Sequence, residues 1–342
     1  MAQYATNQLT TLTSMTRQRV VSDKVVDTVY KAIKVLQWLR SKNLTVTVKG
    51  GLYLQQPINI SGSPNTQTFD GADITNLNSM NANVITASWD YKKYLDSLVL
   101  LDTDLLLTDG SPDAVANFVD VQVDNVKMSI MRKLDIDIMQ NTQSIDPKGV
   151  NGLKEAVDDG TINLNYGGIN RNTYSSQWKS QTNYTILSVA NGGAPLTSIS
   201  SLDAQVQIDA ERPDAYFTTP LNWATIRSNL YSQDHFIQPD MARAIGGWDL
   251  MFNGNPMYID NYIQTGIVTP GTAPGAGSNS GGFIYLLNST YWKWIVDADW
   301  DFELTEWQRP VNQMEYITHI KFAGNLICIK PSAQAVGWIQ GG

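Results

Sequence analysis

The sequence predicts an α+β fold, and three observations support this fold class. One long helical pattern of apolar residues covers residues 111–141. Two extended runs before it, residues 43–60 and 84–100, are typical of the two strands of a single long hairpin. From residue 146 onward, short helical and extended patterns alternate, which indicates a segment that mixes both element types.

The composition excludes several classes of protein. With 42% hydrophobic residues in a chain of 342, a large core is possible and a disordered acidic chain is excluded. The N-terminus has no apolar segment typical of a signal peptide, and no run approaches the length of a transmembrane helix. The single cysteine, Cys328, excludes an internal disulfide framework and is expected to be a buried structural thiol. Synthesis in a cytosol is therefore expected.

Charge is distributed unevenly along the chain. The total net charge is −8, but residues 1–49 hold eight basic and two acidic residues, a net +6 that leaves −14 elsewhere. This pattern predicts a basic arm on an acidic body. We expect the arm to act electrostatically on neighbouring subunits or on a polyanion.

The first elements follow the basic arm. Ser22 is placed to cap a helix, and its apolar stripe continues to about residue 39. The next strand breaks at Gly50-Gly51, which predicts a bulge or bend. The hairpin tip, residues 61–83, is polar and aperiodic. A hairpin arm of about 17 residues reaches roughly 55 Å, so we expect the tip to act outside the compact body.

The long helix carries its own start signals. Ser111, Pro112 and Asp113 supply a cap, a proline in the first turn and a first-turn acid. Its stripe continues for roughly 45 Å at about 1.5 Å per residue. Further apolar residues, including Met128 and Met131, lie off this stripe. We therefore expect the helix to be contacted on two sides.

The rest of the chain is assigned from local patterns. Helices are predicted over residues 201–213 and 220–233, the second with proline at its start. A glycine-rich surface loop is predicted over residues 265–282. The predicted extended runs are residues 214–219, 255–263, 281–288, 312–322 and 326–330. The last two are expected to form a hairpin around Ala323-Gly324.

The sequence lacks the motifs of most enzymes. No P-loop or nucleophile elbow occurs, and the glycine pattern at residues 275–280 is incomplete and lacks a strand-to-helix context. His235 and His319 each lack a nearby second His or Cys, which argues against a zinc site. We predict no catalytic, cofactor-binding or metal-binding residues, and no cofactor.

Carboxylates occur in pairs that need an interpretation. They are Asp102/Asp104, Asp135/Asp137 and the acidic run 297–303, in which Asp297, Asp299, Asp301 and Glu303 alternate with Ala298, Trp300 and Phe302. In a strand, this alternation places the acids on one face and the aromatic rings on the other. A solvated strand face is the favoured interpretation; a cation site and a glycosidase acid pair are the alternatives.

The stretch YGGINRNTYSSQWKSQ, residues 166–181, combines adjacent glycines with an arginine and several aromatic residues. Gly167-Gly168 permits positive φ and predicts a tight turn. Tyr174 and Trp178 are spaced to share one helix face. Arg171 is interpreted as an ion-pair or interface residue rather than a phosphate ligand.

The runs KGVNGLKEAVDDGT and YGGINRNTYSSQW resemble a stretch of tailed-phage major capsid proteins with the HK97 fold. The order of elements also resembles that family over most of the chain. The resemblance implies an N-terminal arm (1–42), an extended β-hairpin or E-loop (43–99), a peripheral domain with a spine helix (111–141) and peripheral β segment, and an axial domain. In this division the peripheral domain holds residues 100–145 and 298–342, and the axial domain holds residues 146–297.

The resemblance implies a structural protein rather than an enzyme. The expected role is a major capsid protein that forms hexamers and pentamers of an icosahedral phage head around double-stranded DNA. Expected partners are copies of itself, a portal, packaged DNA and a separate scaffolding protein, since no long scaffolding segment precedes the arm. The expected location is the virion, after synthesis in a bacterial cytoplasm and without a membrane. A covalent link between Lys49 and Asn325 is not expected.

Two alternatives remain open from the sequence. An encapsulin-like nanocompartment shell shares the fold. A monomeric carbohydrate-active enzyme belongs to a different class and is suggested by the ten tryptophans and fifteen tyrosines, which also suit sugar-binding grooves.

Overall fold

The computed structural model describes residues 33–51, 53–60, 84–102, 112–186, 194–207, 211–230, 250–265, 281–311 and 313–340. The arm before residue 33, the hairpin tip 61–83, the glycine-rich residues 266–280 and His235 lie outside these ranges, so the predictions made for them fall outside the described residues. Within the described ranges, no helix is long and apolar enough to cross a membrane.

The described residues form six helices and fourteen strands. The helices are α1 (Lys34–Ser41), α2 (Pro112–Gln140), α3 (Leu153–Ala156), α4 (Ser175–Trp178), α5 (Pro195–Val206) and α6 (Pro220–Leu230). The strands are β1 (Thr45–Val48), β2 (Tyr53–Asn59), β3 (Val84–Asp90), β4 (Lys92–Leu101), β5 (Asn165–Tyr166), β6 (Ile169–Asn170), β7 (Gln181–Ile186), β8 (Ala215–Thr218), β9 (Met251–Phe252), β10 (Asn255–Ile259), β11 (Gly281–Leu287), β12 (Trp292–Leu304), β13 (Glu315–Cys328) and β14 (Ala335–Gln340).

A four-stranded sheet and the long helix form one part of the core. The sheet has the order β1-β12-β13-β4, with β1 parallel to β12 and the other pairs antiparallel. Helix α2 has 29 residues, as the capping pattern predicts, and packs on β4. Leu134 and Ile138 of its stripe are fully buried, but Met131 is 42% exposed. One part of the second apolar face is therefore uncovered in the single subunit.

A six-stranded sheet in the order β7-β14-β11-β8-β10-β9 forms the other part. Its strand β8 is buried throughout, as predicted, and α5 and α6 pack on the sheet. Helix α5 begins at Pro195, six residues before the predicted start, and ends at Val206. The reason is that Ile199, Leu202 and Val206 share the buried face, so packing places the helix earlier along the chain.

The predicted C-terminal hairpin is wrong, because β13 is one continuous strand of 14 residues. Gly324 lies in its middle and pairs with Val296 of β12 and Lys92 of β4. A Cβ at Gly324 would lie 2.7 Å from the carbonyl oxygen of Ile295. The glycine therefore permits the close approach of a neighbouring strand and does not form a turn.

The hairpin β2–β3 leaves the body where the sequence predicts a bend. Gly50 and Gly51 have φ angles of 71° and 111°, which only glycine adopts readily. They separate β1, which pairs with β12, from β2, which pairs only with β3. The two glycines therefore redirect the chain from the sheet of the body into the hairpin.

Candidate functional site

The Gly167-Gly168 turn joins the short strands β5 and β6 and confirms the predicted tight turn. The two residues have φ angles of 58° and 76°. A Cβ at Gly167 would lie 2.8 Å from the indole ring of Trp89 on the hairpin strand β3. Glycine is therefore required here for two reasons, the backbone conformation and the contact with the hairpin.

The turn holds the root of the hairpin by a hydrogen bond and by aromatic packing. The amide of Ser88 donates to the carbonyl oxygen of Gly167 at 3.0 Å. The ring of Trp89 meets Tyr166 edge to face with centroids 5.7 Å apart, and Tyr166 lies 6.0 Å from Trp178. The indole Nε1 of Trp178 donates to the carbonyl oxygen of Tyr166 at 2.9 Å. These contacts connect the hairpin to the buried core.

Arg171 is a buried residue beside these aromatic side chains. The prediction that it is an ion-pair or interface residue is wrong. Its side chain is fully buried, and its guanidinium donates to four backbone carbonyl oxygens, those of Glu155, Ala156, Asp158 and Trp178, at 2.6 to 3.1 Å. Two of these acceptors lie in the last turn of α3. A buried guanidinium satisfies carbonyls that a helix end otherwise leaves unpaired. We call Trp89, Tyr166, Gly167, Arg171 and Trp178 the hairpin junction.

The contacts of the hairpin junction are those of a structural connection between the hairpin and the body. The amide of Cys328 donates to the hydroxyl of Tyr166 at 2.9 Å, and the Cys328 thiol is fully buried, as predicted. Burial raises the pKa of this thiol to about 12, so it is not a reactive nucleophile at neutral pH. The adjacent glycines were visible in the sequence, but the contact of Gly167 with Trp89 joins residues 78 positions apart.

The acidic run 297–303 is an exposed strand face with lysine partners. Asp299 pairs with Lys49 at 3.3 Å, and Glu303 pairs with Lys321 at 3.5 Å. The predicted strict alternation is wrong, because β12 changes register on both sides of Asp301. In the described part of the chain, no group of three or more His, Cys, Asp or Glu side chains could hold a metal ion.

The other two predicted carboxylate pairs are Asp102/Asp104 and Asp135/Asp137. Asp102 pairs with Arg309 at 2.6 Å, and Asp104 lies outside the described residues. Asp135 and Asp137 do not form a shared site. Asp137 accepts hydrogen bonds from Tyr94 at 2.6 Å and Lys133 at 2.7 Å. Asp135 instead lines a separate cavity of about 420 Å³ between α2 and α6. Residues two apart on a helix point in different directions, which explains the separation.

Asp135 is buried in this cavity beside a second carboxylate, Asp260. Lys34 and Arg227 also line the cavity. Burial and the nearby Asp260 carboxylate raise the pKa of Asp135 from 3.8 to about 8, against the opposite effect of Lys34. The folded chain therefore holds this proton where the unfolded chain releases it. The contribution of the Asp135 proton to the stability of the folded state is lost as the pH rises from about 4 through about 8.

We expect Asp135→Asn to raise the thermal stability of the subunit at pH 8.5 and to raise it by a smaller amount at pH 5, where less of the proton-dependent stability has been lost. The expected gain at pH 8.5 is on the order of 1–3 kcal/mol, since the amide cannot ionise. Thermal unfolding of both proteins at the two pH values measures the effect. Asp124→Asn, at an exposed position of the same helix, is the control. A gain of equal size at both pH values would contradict the assignment.

His319 occupies an ordinary position on the sheet. Its Nδ1 lies 2.8 Å from the hydroxyl oxygen of Ser97 on the neighbouring strand β4. The two residues are a cross-strand pair on a half-exposed face. This environment fits the interpretation of His319 as a lone sheet histidine.

Comparison with known proteins depends on structure alone, since no family model and no curated protein matches the sequence. A chain of the cyanophage A-1(L) capsid asymmetric unit superimposes with a TM-score of 0.62 at 15% identity, covering 95% of this chain and 97% of that chain. The capsid of a native GTA particle gives 0.59 at 9% identity, with 96% of each chain covered. The holo-SrpI encapsulin complex from Synechococcus elongatus PCC 7942 gives 0.55 at 11% identity, covering 94% and 95%.

The chain has the HK97-type capsid fold. The predicted fold class is thereby confirmed. In the terms of this fold, the hairpin β2–β3 is the E-loop and α2 is the spine helix. The hairpin junction then joins the root of the E-loop to the body of the capsid fold.

Proposed function

We propose that this protein is the structural subunit of a closed shell, a major capsid protein that encloses double-stranded DNA in a phage head. The observation that carries the proposal is the match of one capsid fold over about 95% of both chains, with the E-loop and spine helix included. The match extends over nearly the whole of this sequence, which supports a structural role. The chain is therefore proposed to act by assembly.

The surface of the single subunit supports assembly. Large apolar side chains are exposed on the E-loop, on strand β4 and in the segment before β13. They include Val84 (63% exposed), Leu95 (60%), Val311 (88%) and Met314 (75%). Contacts with neighbouring copies would remove this apolar surface from water. Rings of six or five copies need one patch of a subunit to meet a different patch of its neighbour, and these exposed apolar residues are the proposed contacts.

Within this proposal, the division of the chain keeps the arm (1–42), the E-loop (43–99), a peripheral domain (100–145 and 298–342) and an axial domain (146–297). Strand β14 pairs in the six-stranded sheet with β7 and β11. We propose to count β14 with the axial domain, because its hydrogen bonds are made there.

The proposed contents are packaged DNA, and the proposed partners are further copies, a portal and a separate scaffolding protein, in a virion. A basic arm on an acidic body suits contact with DNA or with an acidic scaffold. The encapsulin match, over 94% of this chain, makes a nanocompartment with a protein cargo the second candidate. The two shells differ in what they enclose.

Electron microscopy of the purified full-length protein tests the proposal. We expect closed polyhedral shells or rings of five and six copies. A monomer that forms neither at any concentration would contradict it, and hydrolysis of a polysaccharide would favour the carbohydrate-active enzyme.

Shells from phage-producing cells should hold nuclease-protected DNA; a protein cargo instead would favour the nanocompartment. A variant lacking residues 61–83 should fold and yield fewer shells.

A further inference from the structure

The cavity between α2 and α6 is formed by segments that are distant from one another in the chain. The spine helix α2 contributes Asp135, α1 contributes Lys34, and α6 contributes Trp223 and Arg227. Residues 259–262, at the end of β10, line the remaining side. The cavity volume of about 420 Å³ is within the range of small-molecule sites in proteins, about 300–1,000 Å³. A ligand held here would contact several elements at once.

One buried carboxylate oxygen in the wall of this cavity has no hydrogen-bond donor. Asp135 is only 3% exposed, and within the described part of the chain no group donates to its Oδ1. A buried polar oxygen without a donor is unfavourable and is rare in folded proteins. Because Asp135 lines the cavity, a ligand that carries an N–H donor gains a hydrogen bond at this oxygen.

A second carboxylate favours a ligand with a positive charge. Asp260 is 5% exposed, lines the same cavity and accepts a hydrogen bond from the amide of Tyr262 at 2.8 Å. Burial first, and then the charge of Asp260, raises the pKa of Asp135 from 3.8 to about 8, although Lys34 acts in the opposite direction. The environment of Asp135 therefore disfavours an uncompensated negative charge. A proton compensates it below this pH, and a bound cation can do so above it.

The walls of the cavity suit an organic ammonium ion better than a metal ion. A divalent ion takes about six or more oxygen ligands, and no group of three or more acidic, His or Cys side chains in the described ranges could hold one. The apolar part of the wall includes Pro220, Trp223, Ile259 and Tyr262. Their carbon surfaces suit the methylene groups of an alkyl chain. An ammonium group supplies N–H donors and a positive charge for the two carboxylates.

The two basic residues of the wall do not fill this position. The guanidinium of Arg227 lies over the ring of Trp223, with 5.0 Å between its Cζ and the ring centroid. Neither Arg227 nor Lys34 donates to Oδ1 of Asp135. Their charges oppose a further cation, so we expect binding to depend strongly on the charges of both carboxylates.

We propose that this cavity binds a small organic ammonium cation, a diamine or a polyamine, with the carboxylates of Asp135 and Asp260 as its acceptors. The bound cation connects the spine helix to the segment after β10 and takes the place of the Asp135 proton. Binding is therefore tightest above about pH 8, where Asp135 is ionised, and releases a proton below that pH. The site lies within one subunit, so it is independent of what the proposed shell encloses.

Calorimetric titration of the full-length protein with putrescine, a linear diamine, tests the site. At pH 8.5 we expect saturable binding of one putrescine per chain. At pH 6.0 binding should be weaker by about tenfold or more, because the proton competes for Asp135. Asp135→Asn and Asp260→Asn should each weaken binding at pH 8.5 by about tenfold or more. Asp124→Asn, at an exposed position of the same helix, is the control and should bind as the wild type does.

Thermal unfolding in the same buffers supplies a second measurement. At pH 8.5, putrescine should raise the melting temperature of the wild type more than potassium chloride at equal ionic strength does, and it should not raise that of Asp135→Asn. Equal effects of putrescine and potassium chloride would mean charge screening only and would overturn the site. Unchanged putrescine affinity in both Asn variants would overturn it as well. A failure to form shells would contradict the proposed function and leave these binding results unchanged.

Discussion

Replacing Arg171 by methionine is expected to destabilise the subunit by about 3–5 kcal/mol, because several buried polar groups lose their partner at once. The guanidinium donates to four backbone carbonyl oxygens and has no exposed surface. Methionine fills a similar volume, so the loss reports the hydrogen bonds more than a cavity. Thermal unfolding should show a melting temperature roughly 6–12 °C lower.

Two further variants separate the reasons for this effect. Arg171→Lys keeps the positive charge but loses the planar fork that reaches several carbonyls, so most of the destabilisation should remain. Arg132→Met removes an exposed arginine from the spine helix and should change the melting temperature by less than about 1 °C. If Arg171→Met unfolds at the temperature of the wild type, the guanidinium does not hold the hairpin junction together.

Replacing Gly167 by alanine is expected to cost about 2–4 kcal/mol and to loosen the root of the E-loop. Its φ of 58° is unfavourable for alanine by about 1–2 kcal/mol. The new Cβ would also lie 2.8 Å from the Trp89 ring, so the indole must move out of a packed position. Amide hydrogen exchange of residues 84–90 should become faster than in the wild type, because the β3 strand loses its support.

Two other glycines provide matched controls for the contact with Trp89. Gly168 has a φ of 76°, but its Cβ would lie 3.4 Å from the hydroxyl oxygen of Ser88, an ordinary distance. Gly254 has a φ of 82° and no atom within 4 Å of such a Cβ. Alanine at either position should cost only the backbone strain. Equal losses at all three positions would mean that Trp89 does not depend on Gly167.

Gly167→Ala and Gly254→Ala also test the role of the hairpin in assembly. A loosened E-loop root would place the hairpin at a wrong angle to a neighbouring copy in the proposed shell. We therefore expect Gly167→Ala to reduce shell yield more than Gly254→Ala does. The reduction would follow from the position of the hairpin, since the residues of β2 and β3 themselves are unchanged.

The sequence by itself determined the elements whose causes are local. The start of α2 follows from the proline in its first turn, and the turn at Gly167-Gly168 follows from residues that tolerate positive φ. The bend at Gly50-Gly51 has the same cause. These features depend on neighbouring residues, so a short window of sequence holds all the information. The order of such elements, together with the resemblance of residues 148–161 and 166–178 to phage capsid proteins, predicted the capsid fold.

Only the tertiary structure decided the features that depend on residues far apart in the chain. Gly324 resembles a turn in the sequence, but the carbonyl of Ile295 makes it part of one long strand. Arg171 is interpreted from the sequence as an ion-pair or interface residue, but carbonyls of two separate segments, residues 155–158 and Trp178, surround it. Packing between distant residues determines which backbone groups are buried and need a hydrogen-bond partner. A local sequence pattern does not contain this information. The contact of Trp89 with Gly167, which joins the E-loop to the body, is decided in the same way.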